Sequence, residues 1–210
     1  MLLRSHSLLK LLTGFAIAAF IATSLFAFTT PPATKYKVDT KASTLIWTGK
    51  KFTGQHTGNI QLASGELSAE GKVVKQGNFD IDLNSLTVTD VKDAGSNAKL
   101  VNHLKNDDFF GVDKFPKASF VISSITLKTG DEYLVKGKLT IKGITNDIEF
   151  PAVVKNDGKD LNATAKIIVD RSKYNIKFKS PSFFENLGDG VIYDEFELDL
   201  NLVAHNQGGV

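Results

Sequence analysis

The sequence predicts an all-β domain, an antiparallel sandwich or barrel of about eight strands with one short helix. Three observations carry this. From Tyr36 onward apolar residues recur with a period of two rather than 3.6. Turn signals follow one another at about 8–12-residue spacing, among them Ser64-Gly65, Thr129-Gly130-Asp131, Lys142-Gly143 and Asn156-Asp157-Gly158. A single stretch, Ala94–Asn106, carries Ala98, Val101 and Leu104 at three-residue steps, as a short amphipathic helix does.

The elements follow in chain order. Residues 1–28 read as a leader: Arg4 and Lys10 precede an uncharged run from Leu11 to Phe28, with small residues Ala22, Thr23, Ser24 and Ala27 near its end. Cleavage as a signal peptide is the first reading; an uncleaved anchor is the alternative, since about 18 apolar residues can span a bilayer. Either way the rest of the chain is exported, to the periplasm of a bacterium. Residues 29–35 form a linker stiffened by Pro31-Pro32, residues 36–205 the β domain, and residues 206–210 a tail. Asn78–Leu83 and Glu195–Leu202 alternate cleanly, acidic on one face and apolar on the other. Lys117–Lys128 does not: Phe120 and Ile122 have one parity, Val121, Ile125 and Leu127 the other. The helix runs into Asp107-Asp108-Phe109-Phe110. A second non-strand insertion, Ser180–Gly190, contains Phe183-Phe184.

Composition excludes several classes. Lys plus Arg is 25 and Asp plus Glu is 23, so loss of Arg4 and Lys10 with the leader leaves a neutral domain. Nucleic-acid binders usually carry a basic excess, and none is expected as a partner. Cysteine is absent, which removes disulfides, thiolate metal sites, cysteine nucleophiles and an N-terminal lipid anchor. His56, His103 and His205 lie far apart without metal-site spacing. No nucleophile elbow or phosphate loop occurs, and Asp107-Asp108 and Asp194-Glu195 lack the signs of a catalytic dyad. No catalytic residue, metal or cofactor is expected. Phenylalanine is abundant: fifteen in all, of which Phe15, Phe20, Phe26 and Phe28 lie in the leader, leaving eleven for the domain. Aromatics pack a core or line a cavity, and an eight-stranded barrel has room for one small ligand.

The motifs, in order, resemble those of the YceI-like family of exported lipid- and polyisoprenoid-binding proteins, from about Tyr36 to Ala204. They are Val38-Asp39 with Ser43-Thr44-Leu45-Ile46-Trp47, His56-Thr57-Gly58, His103–Phe110, Phe115–Phe120, Gly137–Thr145 and Asp170-Arg171-Ser172-Lys173-Tyr174. Ser182–Tyr193 resembles the variant common in the Bacteroidetes branch. The resemblance implies a lipocalin-like barrel with an elongated apolar cavity, periplasmic residence, and a long isoprenoid or fatty-acid-like partner such as a quinone or prenyl phosphate. Contact with a membrane would be transient, or through an uncleaved leader. A homodimer stays open, but it would need a surface other than a strand edge.

The candidate ligand-contacting residues are Trp47, Phe120, Ile141, Phe178 and Phe196, expected on lumen-facing positions, and Phe109 and Phe110 at the helix end where a lid would lie. His56 and Arg171 are headgroup candidates. For Arg171 the competing reading is a bond to Asp170 or to backbone carbonyls. Beside lipid carriage stand a filled barrel without ligand and, third, a lipid-modifying enzyme.

Overall fold

The computed structural model describes residues 33–208; the expected leader lies outside them. Nine strands follow one another: β1 (Thr34–Val38), β2 (Thr44–Lys51), β3 (Gly54–Glu70), β4 (Val73–Asp82), β5 (Lys117–Thr129), β6 (Glu132–Ile141), β7 (Ile144–Asn156), β8 (Asp160–Asp170) and β9 (Ile192–Asn206). One helix, α1 (Ala94–Lys105), interrupts them. The barrel begins at Thr34 and ends at Asn206, just inside the expected linker and tail.

All pairings are antiparallel, and β3 pairing with both β2 and β4 closes the ring. Nine strands occupy eight positions, because β1 and β2 share the gap between β3 and β9. β2 fills one end (Leu45 opposite Ile60 and Leu200), and β1 the other (Tyr36 opposite Leu67 and Asn206). Between them the chain turns at Asp39, whose side chain accepts from the Lys41 and Ala42 amides. Ser43 bridges back to Val203. β3, 17 residues long, spans both ends.

Alternation sorts the side chains as a barrel requires. In β6, Tyr133, Val135, Leu139 and Ile141 are buried. Lys136 and Lys138 face out and pair with Glu149 and Asp147 of β7 at 2.8 and 2.9 Å. The mixed parity of β5 has a local cause. The β5–β6 register shifts between Ile122 and Ser124, so one extra residue forms a bulge and inverts the inward phase. Ala118, Phe120 and Ile122 face in before it and Ile125 after it, whereas Val121 and Leu127 are half exposed. β3 has the same device between Leu62 and Ser64.

The ring is closed but not uniformly laced. β7 pairs with β8 only from Ala152 to Asn156, leaving residues 144–151 and 166–170 without shared register. A 3-10 turn, Arg171–Tyr174, packs there against β7, and Lys173 accepts a bond from the Asn146 side chain.

The helix is capped by Asp93, which accepts from the Ser96 amide at 2.8 Å. Of the expected stripe Val101 and Leu104 are partly buried and Ala98 is exposed. Asn97 and Leu100, also partly buried, complete the inner face. Asn97 sets this rotation by donating to the Val88 and Val91 carbonyls at 2.9 and 3.0 Å. Past the helix, Gly111 turns with φ 57° and its amide bonds Asn106, which brings Phe109 and Phe110 back beneath α1.

Candidate functional site

Inward side chains of the barrel leave two adjoining spaces. The upper chamber, under α1, has a volume of about 140 Å³. The lower chamber, toward the β1 end, has about 100 Å³. Leu45, Ile81, Leu139 and Leu198 line both and form the partition between them. Buried Val74 and Leu161 line the lower chamber, and fully buried Tyr36 lies at that end, its hydroxyl bonded to Asn156 at 2.9 Å.

The lining of the lower chamber is apolar throughout, and Phe79, Phe120 and Phe150 form a ring-to-ring series, with centroids 6.3 and 5.5 Å apart. The polar side chains lining the upper chamber are Lys50, Lys51, His56, Arg171, Tyr193 and Glu195. All but Arg171 are partly or fully exposed, so they form a polar mouth above an apolar bore.

Six of the seven residues expected to touch a ligand line a chamber. Trp47, Phe109, Phe110, Ile141 and Phe196 line the upper one and Phe120 the lower one. Trp47 is pinned by a 2.9 Å bond from Nε1 to the Thr87 carbonyl. Phe110 and Phe196 meet edge to face at 6.3 Å under the lid. Phe178 corrects the expectation: it lines neither chamber. It sits in the loop after the 3-10 turn rather than on a strand, so strand parity does not aim it inward. It packs behind Phe109 at 5.5 Å and against His103 at 4.5 Å.

The two headgroup candidates both reach the upper chamber. His56 Nδ1 lies 2.9 Å from Asp90, whose other oxygen accepts from the Thr57 amide. Arg171 is buried, and its Nε, Nη1 and Nη2 donate to the carbonyls of Tyr193, Ile176 and Ile192 at 2.7–3.0 Å. Asp194 lies 3.5 Å from the guanidinium. Burial depresses the Arg171 pKa and the neighbouring acids oppose that. Two of its five donors thus hold the start of β9 to the turn after β8, and a third holds Ile176 of the loop that follows. Among the described residues the three histidines hold separate carboxylates: His56 with Asp90, His103 with Asp108, and His205 with Asp160 and Asp39. They do not converge.

Residue-level reading missed Leu100 and Leu104 of the lid, Phe79 and Phe150, and the four partition residues. Parity could have found Phe79 and Ile81, which share the apolar face of β4.

The model of the YceI-like domain matches residues 36–204. UPF0312 proteins of Staphylococcus aureus are similar over 84 residues at 45% identity in strain USA300 and 49% in strain MRSA252. That stretch is 37% of this chain and 46% of the relatives, so the match spans about half their length. Among solved structures, Burkholderia cenocepacia BcnA is similar with a TM-score of 0.65 at 23% identity, covering 79% of this chain and 98% of that one. A polyisoprenoid binding domain from Saccharophagus degradans has a TM-score of 0.60 at 20% identity, covering 81% and 98%. At these identities the likeness is one of fold.

Proposed function

The chain belongs to the YceI-like domain family, and from that premise we propose that it is an exported, periplasmic binding protein for a long apolar lipid. The lipid is an isoprenoid, quinone or acyl chain, held as cargo or sequestered, and not chemically changed. The observation that carries this reading is the division of the lumen: a lower bore lined by apolar residues throughout, and an upper chamber whose polar lining residues are exposed at its mouth except for buried Arg171. The Saccharophagus degradans domain, named for polyisoprenoid binding, has the same fold.

Burial contributes about 0.8 kcal/mol per methylene, and association costs about 4–15 kcal/mol. Ten buried carbons therefore barely hold, and about twenty bind tightly. Chain length, rather than a particular contact, then sets the preference. A rigid apolar cavity of roughly 150 Å³ holds a benzene-sized molecule and stays dry when empty. Each chamber, at about 140 and 100 Å³, is of that order. A long chain therefore enters only if the partition side chains rotate aside.

Those same volumes favour a second reading, a packed barrel without cargo. The deciding experiment is native mass spectrometry of protein purified from its own periplasm, followed by organic extraction. A stoichiometric long-chain lipid is expected. A clean unliganded mass that also fails to take up added prenyl and acyl chains would leave the packed barrel in its place.

A further inference from the structure

Outside the lumen, beside the mouth, the surface carries a recess of about 470 Å³ that shares no lining residue with either chamber. Three cations reach it, Lys142, Lys177 and Lys179, over an apolar floor of Phe178, Phe184 and Leu187. Its two acids have nearer partners, Asp107 the Lys114 ammonium and Asp108 the His103 ring, and both also attract Lys142. Among the described residues no carboxylate lies within ion-pair distance of the three lysines. Lys177 Nζ lies 4.9 Å from the Phe183 ring centre and Lys179 Nζ 5.7 Å from that of Phe178. Lys142 Nζ donates to the Asp107 carbonyl at 2.8 Å, and partial burial lowers its pKa.

The backbone singles out the same place. Among the described residues the non-glycine positions with left-handed φ are Lys142 (51°), Asn175 (58°), Lys179 (49°) and Asn186 (58°). Three of them line the recess, and Asn186 precedes its Leu187. Asparagine tolerates this conformation; lysine adopts it at a cost. At Lys142-Gly143, a two-residue hairpin between paired Ile141 and Ile144, the favoured residue would be asparagine or aspartate. Strain of this kind persists where surrounding structure enforces it, and it gathers at ligand sites. Here it turns lysines toward one recess. Phe184 of the floor is 49% exposed, and Phe183, 42% exposed, stands beside the recess.

We propose that this recess binds the phosphate headgroup of an anionic amphiphile at a membrane surface, with the lysines on the phosphate and Phe183 and Phe184 in the apolar layer. Ammonium groups answer the phosphate charge. Phenylalanine on an interfacial surface buries at the boundary between headgroups and acyl chains. A free phosphate ion would use the lysines but not the apolar floor. The site is independent of whether the lumen carries a lipid.

The test is flotation of the whole exported chain with phosphatidylglycerol vesicles and with phosphatidylcholine vesicles. Wild type is expected to float with the first and not the second, and to release as salt is raised. The pair Lys177→Gln with Lys179→Gln should weaken binding tenfold or more. Lys136→Gln with Lys138→Gln, an equal charge change on the barrel wall, should leave it within about twofold. Phe183→Ser with Phe184→Ser should also weaken vesicle binding. Equal losses from both lysine pairs, or no preference for phosphatidylglycerol, overturns the site. Complete competition by millimolar inorganic phosphate, with the phenylalanine variant unaffected, assigns it to the free ion and overturns the headgroup reading. Melting curves of all variants, and the lumen occupancy of each by native mass spectrometry, separate these outcomes from misfolding and from failure of lipid carriage.

Discussion

At the scale of single residues, two groups link structure to measurable stability. Tyr174 is almost fully buried, and its hydroxyl has no hydrogen-bond partner among the described residues. Burial pushes its pKa up to about 12, with Asp170 adding to the shift. A buried hydroxyl without a partner costs about 1–3 kcal/mol, so Tyr174→Phe should stabilise the protein by about 1 kcal/mol. In a domain of this size that raises Tm by roughly 2–4 °C, readable by calorimetry. A fall in Tm would mean the hydroxyl has an unseen partner. His205 clasps the β1 end, with Nδ1 2.7 Å from Asp160 and Nε2 3.6 Å from Asp39. The hydrogen bond to Asp160 is the main cause of its raised pKa. The folded value therefore exceeds the unfolded one of about 6.5, so protonated His205 stabilises the fold below that pH. The contribution is lost as pH rises through the folded value. His205→Gln should thus lower Tm relative to wild type near pH 6, and the gap should close in alkaline buffer. A gap independent of pH would show that protonation is not involved.

At the scale of elements, the strap that follows β4 shapes the mouth. Its Thr87 and Thr89 amides bond the carbonyls of Asn59 and Thr57 on β3, each at 2.9 Å. The strap lies so close that a Cβ on Gly58 would stand 1.8 Å from the Thr87 oxygen and 2.8 Å from Trp47 Nε1. Gly58→Ala must push the strap off β3 and break the Trp47–Thr87 bond, an overpacking cost of about 1–3 kcal/mol or more. Denaturant unfolding should report the loss, and the emission of Trp47, the sole tryptophan, should shift as its indole is freed. Unchanged emission would argue that the strap and indole move together. The helix shows why pattern alone placed only part of its face, Val101 and Leu104 but not Ala98. With so little apolar content, its rotation is set by the two hydrogen bonds of Asn97, which no apolar periodicity records.

At the scale of the whole molecule, the partition decides what the barrel can hold. Leu139 is buried and lines both chambers. Leu139→Ala should cost about 2–5 kcal/mol in stability and merge the chambers into one longer bore. If the partition gates entry, uptake of a long prenyl chain should rise in the variant, seen as bound mass in native spectra. A stability loss with unchanged uptake would place the gate elsewhere.

The sequence by itself determined the strand content, the antiparallel arrangement, the one α-helix of the described residues and the family, because alternation and turn chemistry are local and survive in one dimension. It also placed Trp47, Phe120, Ile141 and Phe196 on the lumen side, since parity on a regular strand predicts facing. Tertiary structure decided the rest. The bulges in β3 and β5 invert parity by one residue, which the sequence shows in β5 only as mixed parity without its cause, β1 and β2 share one barrel position, and Phe178 leaves the strand lattice and packs behind Phe109 outside the lumen. The lysine recess is the clearest case. Its residues come from the helix exit, the β6–β7 turn and the loop before β9, and only closure of the barrel brings those segments to one end.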